Sequence, residues 1–317
     1  MDGLLAIEQR PVGRDAAPWV RERGLFSLGH ENDRRIAELR KGLTAHEEVR
    51  VEGAQATDDT VEDVLIGLHE PGYLAAIRSV SSDRPVVLDR VAAPGTMPDI
   101  PVNAPLIAAA HEGVRVAITA AERLLAGARY TYALCRPPGH HAGPAWCGGY
   151  CYLNNAAAAA RVLANGGLGK VALVDLDLHY GNGTAAIVAR MPAAAMWSLH
   201  EQRAGAPSPS PFGPREHQIA FTRPPSTDAY LAALAGAIED FEPGTGAVVV
   251  SLGYDTVVGD PHGAWRFPSQ IFARIGRLLG RTGLPLCVVQ EGGYALRALA
   301  PCSYAFVSGL LDDDEPQ

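Results

Sequence analysis

A chain of 317 residues that is 47% apolar can bury a large core, as one big α/β domain or as two small ones. Charged residues make up 20% and the net charge is −8, so no broad basic surface is available to neutralise a phosphate backbone, and nucleic acid is excluded as an expected partner. The start, Met1-Asp2-Gly3-Leu4-Leu5, has no basic segment ahead of a long apolar run, and no stretch reaches the roughly 18 uninterrupted apolar residues of a membrane span, so a cytoplasmic protein with no membrane partner is expected.

Short runs of Val, Leu and Ile alternate with longer amphipathic segments, the pattern of a parallel sheet covered by helices. In chain order, helices are predicted at 33–43 and 113–126, then a strand at 132–135. A helix at 155–164 follows, favoured by its run of alanines and capped by Asn154 or Asn155. Next come a strand at 171–175, helices at 184–190 and 228–241, a strand at 247–251, a helix at 269–279 and a strand at 285–289. No repeat or long linker divides the chain, so a single α/β domain over 1–317 is expected. The segment 205–225 carries six prolines and reads as a surface loop, and the acidic residues 312–315 read as a solvated tail. The five cysteines form no Cys-x-x-Cys pair and read as reduced thiols.

All four predicted strands run into polar clusters: Arg136-Pro137-Pro138-Gly139-His140-His141, Asp175-Leu176-Asp177-Leu178-His179, Gly253-Tyr254-Asp255 and Glu291-Gly292-Gly293-Tyr294. Ligands of an open parallel sheet bind beyond the carboxyl ends of its strands, so the clusters should converge there. The second is the most specific. Alternation with period 2 sends Asp175, Asp177 and His179 to one side and Leu176 and Leu178 to the other. A polar strand end feeding the Gly181-Asn182-Gly183 turn is the plainer alternative. Asp255 is a candidate third ligand, and Asp177, His179 and Asp255 would leave a metal position open for water or substrate. Two oxygens and a nitrogen suit Zn2+, and Fe2+ as well. Beside a metal, His140 and His141 can take a proton from the attacking water and give one to a leaving amine, with Asp175 and Asn182 as candidates to fix their tautomers. Tyr294, after a Gly-Gly turn, can donate to a carbonyl oxygen as it becomes an oxyanion, although a core tyrosine is the simpler reading of that motif alone.

These clusters, together with Gly149-Tyr150-Cys151-Tyr152-Leu153-Asn154-Asn155, Ser198-Leu199-His200 and the Asp255 to Asp260-Pro261 spacing, resemble the histone deacetylase superfamily, in the family's order from about residue 30 to 300. Ser251-Leu252-Gly253-Tyr254-Asp255-Thr256 and Gly148-Gly149-Tyr150 are more similar to bacterial acetylpolyamine amidohydrolases than to eukaryotic histone deacetylases. The resemblance implies an arginase/deacetylase-like fold and hydrolysis of an acetyl or small acyl amide on an amine. It implies Asp177, His179 and Asp255 as Zn2+ ligands, His140 and His141 as the acid–base pair, Asp175 and Asn182 as their orienters, and Tyr294 as the carbonyl-polarising group. Gly149 and Tyr150 would line the substrate tunnel. A K+ ion would be held by the side chains of Asp175 and Ser198 and backbone oxygens of Asp177, His179 and Leu199.

The chain departs from the family in three places. Tyr180 stands where a second His usually follows the ligand His. The segment 200–228 is short, and so is 91–105, whose longer counterpart in acetylpolyamine amidohydrolases narrows the entrance and contributes to dimerisation. A wider entrance and a bulky small-molecule amine are therefore expected, and the oligomeric state, homodimer included, stays open. Cys147 and Cys151 lie beside the site but at an offset unlike a zinc hairpin, so they are read as buried thiols. Two rivals stand against a mononuclear deacylase: a dinuclear hydrolase of arginase type, which needs more ligands than Asp-Leu-Asp-Leu-His supplies, and a non-catalytic acyl-amine binder, which has no use for Tyr294 and two histidines together. Acetylated polyamines, an acetylated biosynthetic intermediate and protein acetyl-lysine are the substrates in order of preference.

Overall fold

The computed structural model describes residues 3–10, 19–22, 25–88, 91, 101–202 and 211–312. Its first part runs β1 (Leu4–Glu8), the hairpin β2 (Trp19–Glu22) and β3 (Leu25–Leu28), α1 (Asp33–Thr44), β4 (Val49–Gly53), α2 (Asp58–Ile66), α3 (Pro71–Arg78), and the short pair β5 (Val86–Val87) and β6 (Pro101–Val102). Then come α4 (Ala104–Leu125), β7 (Tyr130–Leu134), α5 (Asn155–Asn165), β8 (Lys170–Asp175), α6 (Asn182–Val188), β9 (Ala194–Glu201) and β10 (Glu216–Phe221). The last elements are α7 (Thr227–Glu239), β11 (Thr245–Leu252), α8 (Ile271–Gly280), β12 (Leu286–Gln290) and α9 (Leu296–Leu310).

Eight strands make one parallel sheet in the order β10-β9-β8-β11-β12-β7-β1-β4. Both faces are covered, which is why the central strands read as near-continuous apolar runs. Alternate residues of a strand serve opposite layers: Val249 packs with α4 and α5, whereas Val248 and Val250 pack with α8 and α9. The five alanines 156–160 of α5 are fully buried, and their small side chains let that helix lie close on the sheet. The four strands that carry polar clusters, β8, β11, β12 and β7, are consecutive neighbours at the centre of the sheet. Their carboxyl ends therefore open on one crevice.

This is the single α/β domain expected, with differences that have physical causes. Helix α4 begins nine residues before the predicted 113, because Asn103 caps it by accepting from Leu106 N at 2.9 Å and Pro105 fits the first turn. Asn154, not Asn155, caps α5, accepting from Ala157 N at 2.8 Å. The reading of 205–225 as a loop is corrected: Glu216–Phe221 is the edge strand β10, parallel to β9, and its polar start, Glu216-His217-Gln218, hid it. Residues 205–210 of the predicted loop and 313–315 of the predicted tail lie outside the described residues. No described helix is long and apolar enough to cross a membrane.

Candidate active site

Asp175 closes β8, and the alternation continues past it. Leu176 and Leu178 enter the core layer with α7 and α8, while Asp177 and His179 turn into the crevice. His179 Nδ1 lies 3.1 Å from Asp177 Oδ1 and 3.0 Å from Asp255 Oδ2. Ligand-type atoms of Asp177, His179 and Asp255 all fall within 4.8 Å of one another. Glycine is required for this approach: a Cβ at Gly253 would stand 2.4 Å from Asp177 Oδ2, and one at Gly292 would stand 2.5 Å from the same atom. Gly292 N donates to Asp177 Oδ2 at 2.9 Å and Leu178 N to Asp255 Oδ1 at 3.0 Å, which fixes both carboxylates.

The electrostatics favour a cation. Burial works against the Asp177 carboxylate, but the charges and hydrogen bonds of His140 and His179 hold it well below the usual range. Asp255 is pushed up to about 7 by its own burial and by the charge on Asp177. Burying two carboxylates together is costly, and His140 and His179 offset that cost only by holding protons of their own. A divalent ion fits this donor set and would reverse that cost.

His140 and His141 leave the end of β7 side by side, with ring centroids 4.0 Å apart. His140 Nδ1 is 3.2 Å from Asp175 Oδ2, and His141 Nδ1 is 2.7 Å from Asn182 Oδ1. Gly183, in the first turn of α6, lets that helix press on the His141-Ala142 backbone, where a Cβ would sit at 2.4 Å. The two rings titrate in opposite directions. Burial opposes charge on His140, yet Asp177 and Asp175 hold it up at about 10. His141 is pushed down to about 3 by burial and by the charges on His140 and His179. Neighbouring groups driven apart in this way mark an acid and a base.

Gly293 has φ 114° and brings Tyr294 out of β12 toward the crevice. Tyr294 N donates to Asp260 Oδ2 at 2.6 Å, and its ring lies over the Arg35 guanidinium at 4.6 Å. Burial pushes the phenol well above its ordinary range, so it stays a proton donor. Gly149 (φ 50°) and Tyr150 (φ 69°) are successive left-handed residues, a strained conformation for the tyrosine. A Cβ at Gly149 would meet the His141 ring at 2.4 Å. The Tyr150 and Tyr294 rings face each other at 5.7 Å across a cavity of about 120 Å³. That cavity brings together His140, His141, Gly149, Tyr150, Asp177, His179, Asp255 and Tyr294. Asp175 and Asn182 stand behind the histidines.

His262 also lines the cavity and was missed; its only signal was its place just after Asp260-Pro261. It lies 2.9 Å from His30 and is pushed down to about 4 by burial and the neighbouring His30, His179 and Arg35. Arg35 was missed because a helical arginine gives no sign of being wholly buried. Asp175 and Ser198 are partners across β8 and β9, with Leu199 next in the strand. The Tyr180 ring lies 4.9 Å from that of His200, and its hydroxyl donates to Glu216 of β10. All five cysteines are buried and free, and Cys151 lies against His140 and Glu291. Of the two entrance segments expected to be short, residues 92–100 and 203–210 lie outside the described residues.

A model of the histone deacetylase domain matches residues 30–310. Acetylpolyamine amidohydrolase 1 of Pseudomonas aeruginosa is 37% identical over 214 residues, 63% of this chain and 61% of that protein. The acetylpolyamine amidohydrolase of Mycoplana ramosa is 36% identical over 200 residues, 59% of this chain and 58% of the relative. The matched stretches thus span about 60% of these relatives. The crystal structure of an acetylpolyamine aminohydrolase from Burkholderia pseudomallei superposes with a TM-score of 0.81 at 26% identity, covering 97% of this chain and 98% of that one.

Proposed function

Because the chain belongs to the histone deacetylase domain family, we propose that it is a zinc-dependent amidohydrolase that removes an acetyl or other small acyl group from a small-molecule amine, with acetylated polyamines first in order. The observation that carries this reading is the convergence of Asp177, His179 and Asp255 with His140, His141 and Tyr294 on one cavity. The similarity to acetylpolyamine amidohydrolases supports the substrate class.

Asp177, His179 and Asp255 would hold the metal, which when bound supplies Lewis-acid polarisation of the acyl carbonyl and a lowered pKa for water. The protein's groups do the rest. A carboxylate or amide oxygen can only accept, so Asp175 and Asn182 keep the Nδ1 protons of His140 and His141 and leave both Nε2 atoms to the reaction. His141, kept neutral, takes the proton of the attacking water. His140, kept charged, steadies the negative charge that develops and supplies a proton to the leaving amine. Tyr294 donates its hydroxyl to the carbonyl oxygen as charge grows there. Tyr150 and Gly149 form the wall along which the amine's chain would lie. A potassium ion beside Asp175, Ser198 and Leu199 belongs to the same proposal, as does a cytoplasmic setting.

The test is acetate release from an acetylated amine by the metal-loaded protein. Turnover that a chelator abolishes and zinc restores supports the reading; Fe2+ restoring more activity than zinc would change the metal and keep the reaction.

A further inference from the structure

Glu291 opens the Glu291-Gly292-Gly293-Tyr294 turn, yet the reaction above gives it no task. Its side chain is wholly buried. One oxygen, Oε2, accepts from two successive backbone N–H groups, Gly139 at 2.6 Å and His140 at 3.1 Å. The other, Oε1, has no hydrogen-bond partner among the described residues. Burying a carboxyl group is costly, and a half-satisfied one more so, so its retention calls for a compensating task.

The surroundings supply one. The Glu291 carbonyl accepts from Arg35 Nη2 at 2.6 Å, and Arg35 Nε donates to Gly293 O at 2.6 Å, so the turn is clamped from behind. From that anchored backbone the Glu291 side chain crosses from the end of β12 to the end of its neighbour β7. There it takes the two amides immediately before the histidine rings. Without it, these donors would be buried and unpaired, and the loop carrying both rings would lose its tie to the strand that carries Tyr294.

Resting on the reading of this cavity as an amide-hydrolysing site, we propose that Glu291 is a positioning residue that sets His140 and His141 relative to Tyr294 by receiving the Gly139 and His140 amides. It acts through backbone and touches no substrate. The reach of its side chain matters, and its charge does not.

Three variants separate reach from charge. Glu291→Gln keeps an acceptor oxygen at the same distance and loses the charge; Glu291→Asp keeps the charge and withdraws the oxygen by one methylene; Glu291→Ala removes both. In the metal-loaded protein, Gln should keep kcat within about threefold of the parent, while Asp and Ala lower it about 10²-fold with KM within about threefold and one metal per chain retained. Hydrogen exchange at the Gly139 and His140 amides, read in metal-free and loaded protein alike, should be parent-like in Gln and about 10-fold or more faster in Asp and Ala. Parent-like behaviour of Asp beside an impaired Gln would assign the role to charge and overturn the proposal, and so would unchanged protection in Ala. Should Ala fail to fold, the Gln and Asp pair decides alone. A parent protein that shows the expected exchange pattern but hydrolyses no acetylated amine would sink the functional reading and leave the positioning role standing.

Discussion

His141 Nδ1 and Asn182 Oδ1 stand 2.7 Å apart, and this contact selects which nitrogen of the imidazole faces the cavity. The amide oxygen holds the Nδ1 proton, so Nε2 is free to receive one. His141→Ala should lower kcat by about 10²–10⁴. Asn182→Ala, which frees the tautomer and leaves the ring in place, should cost about 10-fold or more. Neither residue is in the proposed ligand set, so both variants should bind metal as the parent does. Loss of metal from either, measured by elemental analysis, would mean that the pair belongs to the metal site.

Tyr294→Phe removes the donor proposed for the oxyanion and leaves the ring over Arg35. The expected loss in kcat is about 10²–10³, the scale for one oxyanion donor, with metal content unchanged. Steady-state kinetics that give near-parental turnover would remove the tyrosine from the mechanism.

One divalent metal per chain is expected, because Asp177, His179 and Asp255 make a coherent mononuclear set. Losing even an outer partner of a ligand costs roughly 10–100-fold in affinity, so Asp255→Asn should exceed that in a competition titration. Two metals in the cleft about 3.5 Å apart would move the protein to the dinuclear, arginase-type class.

Much of this site could be read in the sequence because alternation past β8 is strict and the polar clusters end strands that neighbour one another. The strands β7, β8, β11 and β12 are apolar on both faces, and such runs announce themselves. The edge strand β10 did not, since an edge needs only one buried face and tolerates Glu216, His217 and Gln218. Arg35 was opaque for another reason: a charged residue is expected at the surface, and only the packing of the turn after β12 reveals it as buried, while Glu291 stood in a polar cluster whose reach to the Gly139 and His140 amides no local pattern encodes. His262 entered the site through a loop whose path no local pattern encodes.

A buried histidine away from the site sets a pH dependence of stability. His69 Nδ1 meets Gly143 O at 2.8 Å, Nε2 accepts from Asn154 N at 3.3 Å, and burial lowers the imidazole from 6.5 to about 4. Below pH 6.5 the unfolded chain takes up a proton that the fold refuses. The contribution of His69 is therefore complete above about pH 6.5 and is lost as the pH falls to about 4, some 3 kcal/mol across the window. His69→Gln cannot titrate, and its unfolding free energy from urea melts should fall less steeply between pH 7 and 4. Equal slopes for parent and variant would contradict the assignment.

The central claim is that this cavity hydrolyses the amide of an acetylated amine with a metal held by Asp177, His179 and Asp255. The most direct measurement is kcat/KM for acetate release, under one set of conditions, from acetylputrescine, a bulkier acetylated amine and an acetyl-lysine peptide, before and after chelation. The account predicts acetate from the small-molecule amines, abolished by the chelator and restored by one equivalent of zinc per chain. No acetate from any of the three substrates by the zinc-loaded protein would contradict it.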